Sequence, residues 1–213
     1  MKYLILANGE YGDFDWYRKQ KDFDRIICAD AGASWALQIG LKPHLVIGDL
    51  DSINEQDRKQ LEEAGCGFQV YPPEKDFTDT HLALMLAGKE GASDVTIWGG
   101  TGSRLDHTLG NLYCAASLSE TGVQVHFASP TQTIYFVRDH LRLAGSPGET
   151  VSVIAVGDRA TGVTLEGFYY PLSDVVLEVR SSVGISNVIT EPNPLIQVAQ
   201  GTLAVFHYPF IRK

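Results

Sequence analysis

Six aspartates in this sequence each follow a short apolar run that has the composition of a buried β-strand. Asp30 follows the second run, Asp49 and Asp51 the third, Asp76 and Asp79 the fourth, and Asp106 the fifth. The carboxyl ends of neighbouring parallel strands lie along one edge of a sheet, so these acids are expected to come together. Carboxylate oxygens are the hard ligands with which Mg²⁺ is held when it also binds substrate phosphates. The spacing therefore predicts a magnesium and phosphate site.

Asp49 and Asp51 are the strongest candidates for metal ligands. Asp79 and Asp106 each stand just before an apolar helical pattern, where an aspartate is often an N-cap and complements the helix dipole. The two acids of the Gly-Asp-Leu-Asp loop are not needed as helix caps. Ser52, which has a glutamate three residues later, is the predicted cap of the next helix, in a capping box. Two carboxylates in one tight loop repel each other unless a cation relieves the repulsion.

A glycine-rich loop follows the fifth apolar run. Residues 99–107 read Gly-Gly-Thr-Gly-Ser-Arg-Leu-Asp-His and lie between a predicted strand and a predicted helix. Glycines let backbone N–H groups approach a phosphate, and the helix N-terminus behind them favours anions. Arg104 can bind two phosphate oxygens at once, whereas a histidine such as His107 is, taken alone, more often a polar residue of the first helical turn than a catalytic group. The loop has neither a Walker A ending nor a Gly-x-Gly-x-x-Gly fingerprint. Together with the acidic edge it predicts a site for a metal-bound polyphosphate.

The elements that must hold these residues alternate between strand and helix. The predicted strands are Tyr3–Ala7, Arg25–Cys28, Leu45–Ile47, Phe68–Tyr71, Val95–Trp98 and Val123–Phe127. The predicted helices are Ala33–Ile39, Glu55–Ala64, Thr80–Lys89 and His107–Thr121. Strands that are apolar on both faces and alternate with helices form mostly parallel sheets covered on both sides. This part of the chain is therefore predicted to be an α/β domain with a Rossmann-like, three-layer architecture.

The pattern changes near residues 128–132. The remainder of the chain has no convincing helical pattern and alternates apolar and polar residues, as at 163–166, 175–179 and 203–208. Turn sequences such as Pro-Asn-Pro separate these segments. Alternation with frequent turns is typical of antiparallel strands in a sandwich or barrel. We predict two domains, an α/β domain over 1–128 and an all-β sandwich domain over 129–213.

Composition limits the class of protein further. The chain has 213 residues, 17 Lys and Arg against 26 Asp and Glu, a formal net charge of −9 and 44% hydrophobic residues. This is the composition of a folded globular protein, and the acidic excess disfavours a protein that coats nucleic acid. No apolar run approaches the roughly 20 residues of a membrane helix, and the apolar start is too short for a signal peptide. Cys28, Cys66 and Cys114 are odd in number and widely spaced, which indicates reduced thiols. We expect a cytoplasmic protein that binds neither nucleic acid nor membrane.

Four motifs, in this order, resemble those of the bacterial thiamine pyrophosphokinase (thiamine diphosphokinase) family. They are Ile-Cys-Ala-Asp-Ala-Gly-Ala at 27–33, Gly-Asp-Leu-Asp-Ser at 48–52, Lys-Asp-Phe-Thr-Asp at 75–79 and Gly-Ser-Arg-Leu-Asp-His at 102–107. The tail agrees, with Gly-Phe-Tyr-Tyr-Pro-Leu at 167–172 and Gly-Ile-Ser-Asn at 184–187. The resemblance covers essentially the whole chain. One departure is Ala31, where many relatives have a second glycine, and it leaves the role of Asp30 open.

The resemblance implies an enzyme that transfers the pyrophosphoryl group of ATP to the hydroxyl of thiamine, giving thiamine diphosphate and AMP, with Mg²⁺. It implies that the α/β domain binds ATP and Mg²⁺ and that the β domain binds thiamine. Similar enzymes act as homodimers with active sites between the subunits, so a homodimer is expected here. Charge neutralisation by carboxylate-held Mg²⁺, a glycine loop and an arginine suffices for such a transfer without a covalent nucleophile.

The resemblance also implies roles for individual residues. The catalytic group would comprise Asp49, Asp51, Asp79, Arg104 and Asp106, of which Asp49, Asp51 and Asp79 match metal ligands. The ATP site would comprise Asp30, Asp76, Thr78, Gly102, Ser103, Arg104 and His107. Tyr170 matches the aromatic ring that stacks on thiamine, and Ser186 and Asn187 match thiamine contacts from the other subunit.

Several assignments stay open on the sequence. Asp79 or Asp106 would take the proton of the thiamine hydroxyl, and the aromatic run 168–170 leaves the choice of stacking ring open. Tyr170 is also consistent with an aromatic residue at a sandwich edge. Two other functions share these features. One is another Mg²⁺-dependent, nucleotide-using transferase, and the other is a non-catalytic module of the same fold that binds thiamine or nucleotide.

Overall fold

The computed structural model of the chain describes residues 1–20 and 22–209. Two compact units are present, the first spanning Met1–Pro130 and the second beginning at Thr131. The described part of the first unit contains β1 (Lys2–Leu6), α1 (Phe14–Lys19), β2 (Arg25–Ala29), α2 (Gly32–Ile39), β3 (Leu45–Gly48), α3 (Glu55–Glu63), β4 (Gly67–Val70), α4 (Asp79–Lys89), β5 (Asp94–Trp98), α5 (Leu105–Ser119) and β6 (Gln124–Ala128). The described part of the second contains β7 (Thr133–Val137), β8 (His140–Arg142), β9 (Thr150–Glu166), β10 (Leu172–Glu178), β11 (Asn187–Val188), β12 (Leu195–Gln197) and β13 (Gln200–Tyr208).

The strands of the first unit pair in parallel in the order β4-β3-β2-β1-β5-β6. Strands β1 to β4 are added outward on one side, and the chain then returns through α4 to place β5 on the other side of β1. The direction of growth therefore reverses between β1 and β5, which is where open α/β sheets form their ligand crevice. The parallel pairing that the sequence predicts for this unit is confirmed.

Helices cover both faces of this sheet. Leu4 and Leu6 of β1 and Trp98 of β5 pack in one apolar cluster with residues of α1, α2 and α3, including Tyr17 and Leu61. Helix α4 contacts β1, β2, β3 and α5, and its buried residues lie outside that cluster. Because successive side chains of a strand point to opposite faces, α4 covers the other side of the sheet. Apolar residues on both faces of the strands are buried by this arrangement.

The second unit is built around β9, a strand of 17 residues. Its first part pairs with β13 and β11 and its last part with β10 and β12, all antiparallel. Strand β13 also pairs with β7, and β12 also pairs with β8. Val151 and Leu165, from the two parts of β9, lie with Leu203 of β13 in one apolar cluster. The part of this unit that the structure describes contains no helix.

One predicted helix cap is wrong, and one helix was not predicted. The predicted capping box at Ser52 is wrong, because α3 begins after Asn54, whose side chain accepts a hydrogen bond of 2.8 Å from Asp57 N. Ser52 instead donates its hydroxyl hydrogen to the Asp30 carboxylate. Helix α1 lies outside the predicted helices, because its 6 residues are too few to show a helical period in the sequence.

The three cysteines are free thiols. Cys28 and Cys66 are buried and Cys114 is partly buried. Burial raises the pKa of Cys66 to about 11 and the pKa of Cys28 well above its ordinary value, so both stay protonated and unreactive. Of the helices in the described ranges, none has the length and hydropathy to cross a bilayer.

Candidate functional site

A pocket of about 660 Å³ lies at the carboxyl ends of the parallel strands. The loops after β1, β2 and β5, the segment before α4 and the first turns of α5 line it, around the point where the sheet order reverses. The predicted site residues in its lining are Asp30, Asp76, Thr78, Asp79, Gly102, Ser103, Arg104 and His107. The lining does not include Asp49, Asp51 or Asp106. The pocket therefore brings the predicted ATP residues together.

Three of the predicted acids meet beside this pocket. Oxygens of Asp30, Asp49 and Asp51 lie within 4.8 Å of one another. Asp30 follows β2 with a left-handed backbone conformation (φ 48°), and Leu50, between the other two acids, has φ 64°. A single left-handed residue reverses the chain sharply, and non-glycine residues in that conformation are concentrated at functional sites. These two turns bring the exits of β2 and β3 to one point.

Asp79 approaches the same point from the start of α4. A Cβ built on Gly48 would lie 3.2 Å from both Asp30 Cβ and Asp79 Cγ, so the two carboxyl groups pack against the bare backbone of β3. The N-cap of α4 is Thr78, whose side chain accepts a hydrogen bond of 3.2 Å from His81 N. Asp79 is therefore not the cap of this helix, although the sequence allowed that role.

Lys75 lies among these acids, and the sequence analysis gave it no role. Its Nζ is 3.1 Å from Asp79 Oδ1 and 3.6 Å from Asp49 Oδ2, and only 13% of its side chain is exposed. Burial alone would lower the pKa of Lys75, but hydrogen bonds and charge attraction from Asp79 and Asp49 outweigh burial and raise it. The sequence held one indication of the contact with Asp79, a lysine four residues before an aspartate at the start of a helix.

The acids differ in how readily they lose a proton. Asp51 N donates a hydrogen bond of 3.2 Å to Asp49 Oδ1, and this bond, helped by Lys75, lowers the pKa of Asp49. Asp49 in turn raises the pKa of Asp51 through a hydrogen bond and its negative charge. Burial raises the pKa of Asp79 although Lys75 opposes the shift. Hydrogen bonds separate the pKa values of Asp49 and Asp51, with a further contribution from their repulsion, and burial sets the direction of the shift at Asp79.

The donor set fits a divalent cation. Asp30 Oδ1 is buried and accepts no hydrogen bond from any residue that the structure describes. A buried carboxylate oxygen without a partner is costly unless a positive charge meets it. Three carboxylates within reach of one point supply the hard oxygen ligands that suit Mg²⁺. Asp49 and Asp51, both predicted metal ligands, belong to this group with Asp30, while Asp79 pairs with Lys75 beside it.

Glycines bring the loops after β1 and β5 into direct contact at the pocket. A Cβ on Gly9 would lie 2.2 Å from Gly99 O, and one on Gly99 would lie 2.6 Å from Ala7 O, so neither position has room for a side chain. Glu10 N donates a hydrogen bond of 2.8 Å to Thr101 O. The glycine-rich loop is therefore held by β1 as well as by its own strand.

Helix α5 holds the other side of the glycine-rich loop. Asn111 Nδ2 donates a hydrogen bond of 2.8 Å to Gly100 O, and Gly102 N donates one of 3.2 Å to Thr108 Oγ1. Thr108 and Asn111 also line the pocket, and the sequence analysis did not select them. The sequence held only weak evidence for their role, because two polar residues three positions apart are common on the first turns of a helix.

Arg104 and Asp106 form a two-bond pair at the start of α5. Arg104 Nε lies 3.2 Å from Asp106 Oδ1, and Arg104 Nη2 lies 2.6 Å from Asp106 Oδ2. The hydrogen bonds from Arg104 lower the pKa of Asp106 to about 2. Arg104 occupies the N-cap position and Asp106 lies in the first turn, so Asp106 is not the cap. The pair is mostly exposed, at the mouth of the glycine-rich loop.

The second unit exposes two tyrosines of the aromatic run. Tyr169 and Tyr170 are 66% and 62% exposed, and their ring centroids are 4.8 Å apart in an edge-to-face arrangement. Phe168 is 5% exposed and belongs to the apolar cluster of the unit. Phe168 is therefore part of the core, which leaves the two tyrosines as candidate stacking rings.

Asn187, a predicted thiamine contact, holds the backbone of Tyr170. Its Oδ1 accepts hydrogen bonds from Tyr170 N (3.0 Å) and Val188 N (2.9 Å), and its Nδ2 donates one of 2.7 Å to Tyr170 O. Asn187 is buried, whereas Ser186 is exposed in a left-handed conformation (φ 56°). The geometry of Asn187 therefore fixes Tyr170, and Ser186 is the more accessible of the two.

Two family models match consecutive parts of the chain. The model described as thiamin pyrophosphokinase, catalytic domain, matches residues 12–127. The model described as thiamin pyrophosphokinase, vitamin B1 binding domain, matches residues 133–203. The first match falls within the first compact unit and the second falls within the second.

Individual relatives agree with these matches. The thiamine pyrophosphokinase of Bacillus subtilis (strain 168) is 31% identical over 187 residues, which are 83% of this chain and 84% of that protein. A crystal structure of thiamine pyrophosphokinase from Bacillus subtilis superposes with a TM-score of 0.87 at 26% identity, covering 99% of this chain and 100% of that chain. A thiamin pyrophosphokinase structure from Geobacillus thermodenitrificans gives 0.82 at 25% identity, with 99% and 98% covered.

Proposed function

Because the chain belongs to the thiamin pyrophosphokinase family, we propose that it transfers the pyrophosphoryl group of ATP to the hydroxyl of thiamine. The bond between the β-phosphorus and the oxygen that bridges it to the α-phosphorus breaks, and a bond from the thiamine oxygen to the β-phosphorus forms. The products are thiamine diphosphate, AMP and the hydroxyl proton. One observation carries the proposal: an acidic group and a glycine-rich loop flank one pocket in the unit that matches the catalytic domain.

We assign the magnesium site to Asp30, Asp49 and Asp51, with Asp79 beside them. The buried Asp30 Oδ1 supports this assignment because it has no partner among the described residues and a cation would supply one. The lowered pKa of Asp49 supports it because a charged carboxylate binds a cation. When bound, Mg²⁺ would neutralise negative charge on the phosphates and on the leaving oxygen. The role of Asp30, Asp49 and Asp51 is to hold the cation at the exits of β2 and β3.

The glycine-rich loop and Arg104 are proposed to bind the phosphates of ATP. A guanidinium has five N–H donors, so the two bonds to Asp106 leave others for phosphate oxygens. Asp106 orients Arg104 in this assignment. The other proposed ATP residues line the same pocket: Asp76, Thr78, Gly102, Ser103 and His107.

Of the two candidate proton acceptors, Asp79 is the better one. Arg104 lowers the pKa of Asp106 to about 2, which makes Asp106 a weak base. Burial raises the pKa of Asp79, and Asp79 lines the pocket whereas Asp106 does not. We therefore propose that Asp79 takes the hydroxyl proton of thiamine.

We propose that the second unit is a β-sandwich and binds thiamine, and that the first unit has a Rossmann-like, three-layer architecture. An exposed aromatic face such as Tyr170 suits a flat pyrimidine and a cationic thiazolium. Ser186 is proposed as a direct contact and Asn187 as the residue that positions Tyr170. A cytoplasmic homodimer with active sites between subunits belongs to the same proposal.

The activity is tested by incubating the protein with ATP, Mg²⁺ and thiamine and separating the products by chromatography. AMP and thiamine diphosphate are expected in equal amounts, with no AMP when thiamine is omitted. Release of AMP that depends on another acceptor would indicate a different transferase. Binding of thiamine and ATP without turnover would indicate a non-catalytic module. Either result would overturn the proposal.

A further inference from the structure

We propose that Lys75 is a substrate-binding residue that exchanges partners: its ammonium pairs with Asp49 and Asp79 when no divalent cation is bound and moves to the ATP phosphates when a cation binds Asp30, Asp49 and Asp51. The inference deepens the proposed function and rests on it. It assigns a task to a side chain that lies between the acidic group and the pocket.

The position of Lys75 suits both partners. Its Nζ lies 3.1 Å from Asp79 Oδ1 and 3.6 Å from Asp49 Oδ2, and the side chains of all three residues are largely buried. Lys75 also lines the pocket that the glycine-rich loop borders. A lysine stem has four rotatable carbons, so the ammonium can change direction without movement of the backbone.

The backbone around Lys75 is held in place. Lys75 N donates a hydrogen bond of 3.1 Å to Pro73 O, and Tyr71 N donates one of 2.8 Å to Gly48 O of β3. Two consecutive prolines, at 72 and 73, restrict the segment between these bonds. The start of the segment is therefore tied to β3, and the prolines limit how far the backbone before Lys75 can move.

The charges in the site favour such an exchange. A divalent cation held by Asp49 would repel the ammonium of Lys75, which lies 3.6 Å from Asp49 Oδ2. Among the described residues that line the pocket, Lys75 and Arg104 are the ones with lysine or arginine side chains. A triphosphate carries about four negative charges, so the displaced ammonium has an acceptor in the same pocket.

The test compares Lys75→Gln and Lys75→Arg with wild type, with Lys89→Gln as the control. Lys89 is exposed at the end of α4, so its replacement makes the same change of charge away from the pocket. Two affinities are measured on each protein. One is for the metal alone, by Mg²⁺-dependent thermal shift and by electron paramagnetic resonance of Mn²⁺. The other is for α,β-methylene-ATP at saturating Mg²⁺, by calorimetry.

The two affinities of Lys75→Gln are expected to change in opposite directions. Loss of the competing ammonium should tighten binding of the metal alone about tenfold, and loss of a phosphate partner should weaken binding of the ATP analogue about tenfold. Mg²⁺ should accordingly raise the Tm of Lys75→Gln more than that of wild type. Lys75→Arg should bind the analogue better than Lys75→Gln, and Lys89→Gln should behave as wild type.

A purely structural role for Lys75 would weaken both affinities together, and that result would overturn the inference. Unchanged affinities in Lys75→Gln would overturn it as well. Circular dichroism shows whether the variant is folded, and the metal-dependent rise in Tm is read only on folded protein. Failure of the proposed function is a separate outcome, since it would appear as absence of thiamine-dependent AMP release by wild type.

Discussion

Asp49 combines three features that a metal ligand needs. Its oxygen lies in the group with Asp30 and Asp51, its pKa is lowered by the Asp51 N–H bond, and the charge of Lys75 compensates its own. Asp51 shares the position but has a raised pKa, so the two acids of the Asp-Leu-Asp loop are electrostatically distinct. At this scale the site is a set of carboxylates whose repulsion is only partly relieved by protein groups.

Asp49→Asn is expected to lower the rate of thiamine-dependent AMP release by at least about 100-fold, because an amide cannot stabilise a metal that neutralises phosphate charge. Steady-state rates at saturating ATP and thiamine measure the effect. Asp15→Asn, on the exposed surface of α1, is the control and should keep the wild-type rate. Wild-type rates in both Asp49→Asn and Asp51→Asn would contradict the metal assignment.

Tyr170→Ala is expected to raise the KM for thiamine about tenfold and to leave the KM for ATP nearly unchanged, since loss of one stacked ring costs roughly 1–2 kcal/mol. Tyr169→Ala is the matched control, because Tyr169 is equally exposed and next in sequence. The same thiamine defect in Tyr169→Ala alone would move the stacking role to that ring. A defect confined to ATP would contradict both.

At the scale of elements, the sequence predicts what depends on apolar runs and misses what depends on local geometry. The six strands and four of the helices of the first unit lie where the sequence pattern predicts strands and helices. Helix α1 is too short for such a pattern. The cap of α3 falls on Asn54, because Ser52 lies inside a turn closed by a backbone hydrogen bond to Leu50 O. The acids were predicted from strand exits. Their partners, Lys75 above all, depend on the left-handed turns at Asp30 and Leu50 and on side-chain directions that spacing does not reveal.

The buried tyrosine of α1 gives an element-scale prediction. Tyr17 is fully buried among aromatic rings, and its hydroxyl has no hydrogen-bond partner among the described residues. Tyr17→Phe is expected to increase the free energy of unfolding at pH 7 by about 1 kcal/mol, because it removes an unsatisfied buried hydroxyl. Urea denaturation measures the change. Tyr3→Phe is the control and should decrease stability, since Tyr3 Oη donates a hydrogen bond of 2.9 Å to Glu90 Oε2.

The same residue predicts a response to alkaline pH. Burial raises the pKa of Tyr17 to about 12 from 10.0, so the folded state keeps the phenol proton longer than the unfolded state does. Ionisation of Tyr17 therefore leaves the free energy of unfolding unchanged below pH 10 and lowers it as the pH rises from 10 to about 12, by up to about 1.4 kcal/mol per pH unit. Tyr17→Phe should lose less stability than wild type between pH 9 and pH 11. An equal loss in both proteins would contradict the burial effect.

At the scale of the whole molecule, the proposed dimer can be tested by subunit complementation. If Asp49 of one subunit and Tyr170 of the other build one site, a mixed dimer of Asp49→Asn and Tyr170→Ala contains one intact site and one doubly altered site. The two variants are unfolded, mixed and then refolded together, so that half of the dimers are mixed. Activity at low thiamine should then reach about a quarter of the wild-type activity. Activity no greater than the mean of the two variants would show that each subunit holds a complete site.

The pairing of β13 affects when the second unit can fold during synthesis on the ribosome. β13 forms hydrogen bonds with both β7 and β9, and the apolar core of the second unit includes its residues. All six strands of the first unit are synthesised before β7, so that unit can fold while the chain is still being made. The edge of β9 that pairs with β13, by contrast, has no partner until the segment that starts at Gln200 has been made. During biosynthesis this edge of β9 therefore stays exposed until Gln200–Tyr208 has been made, and an exposed apolar edge strand is a site of aggregation.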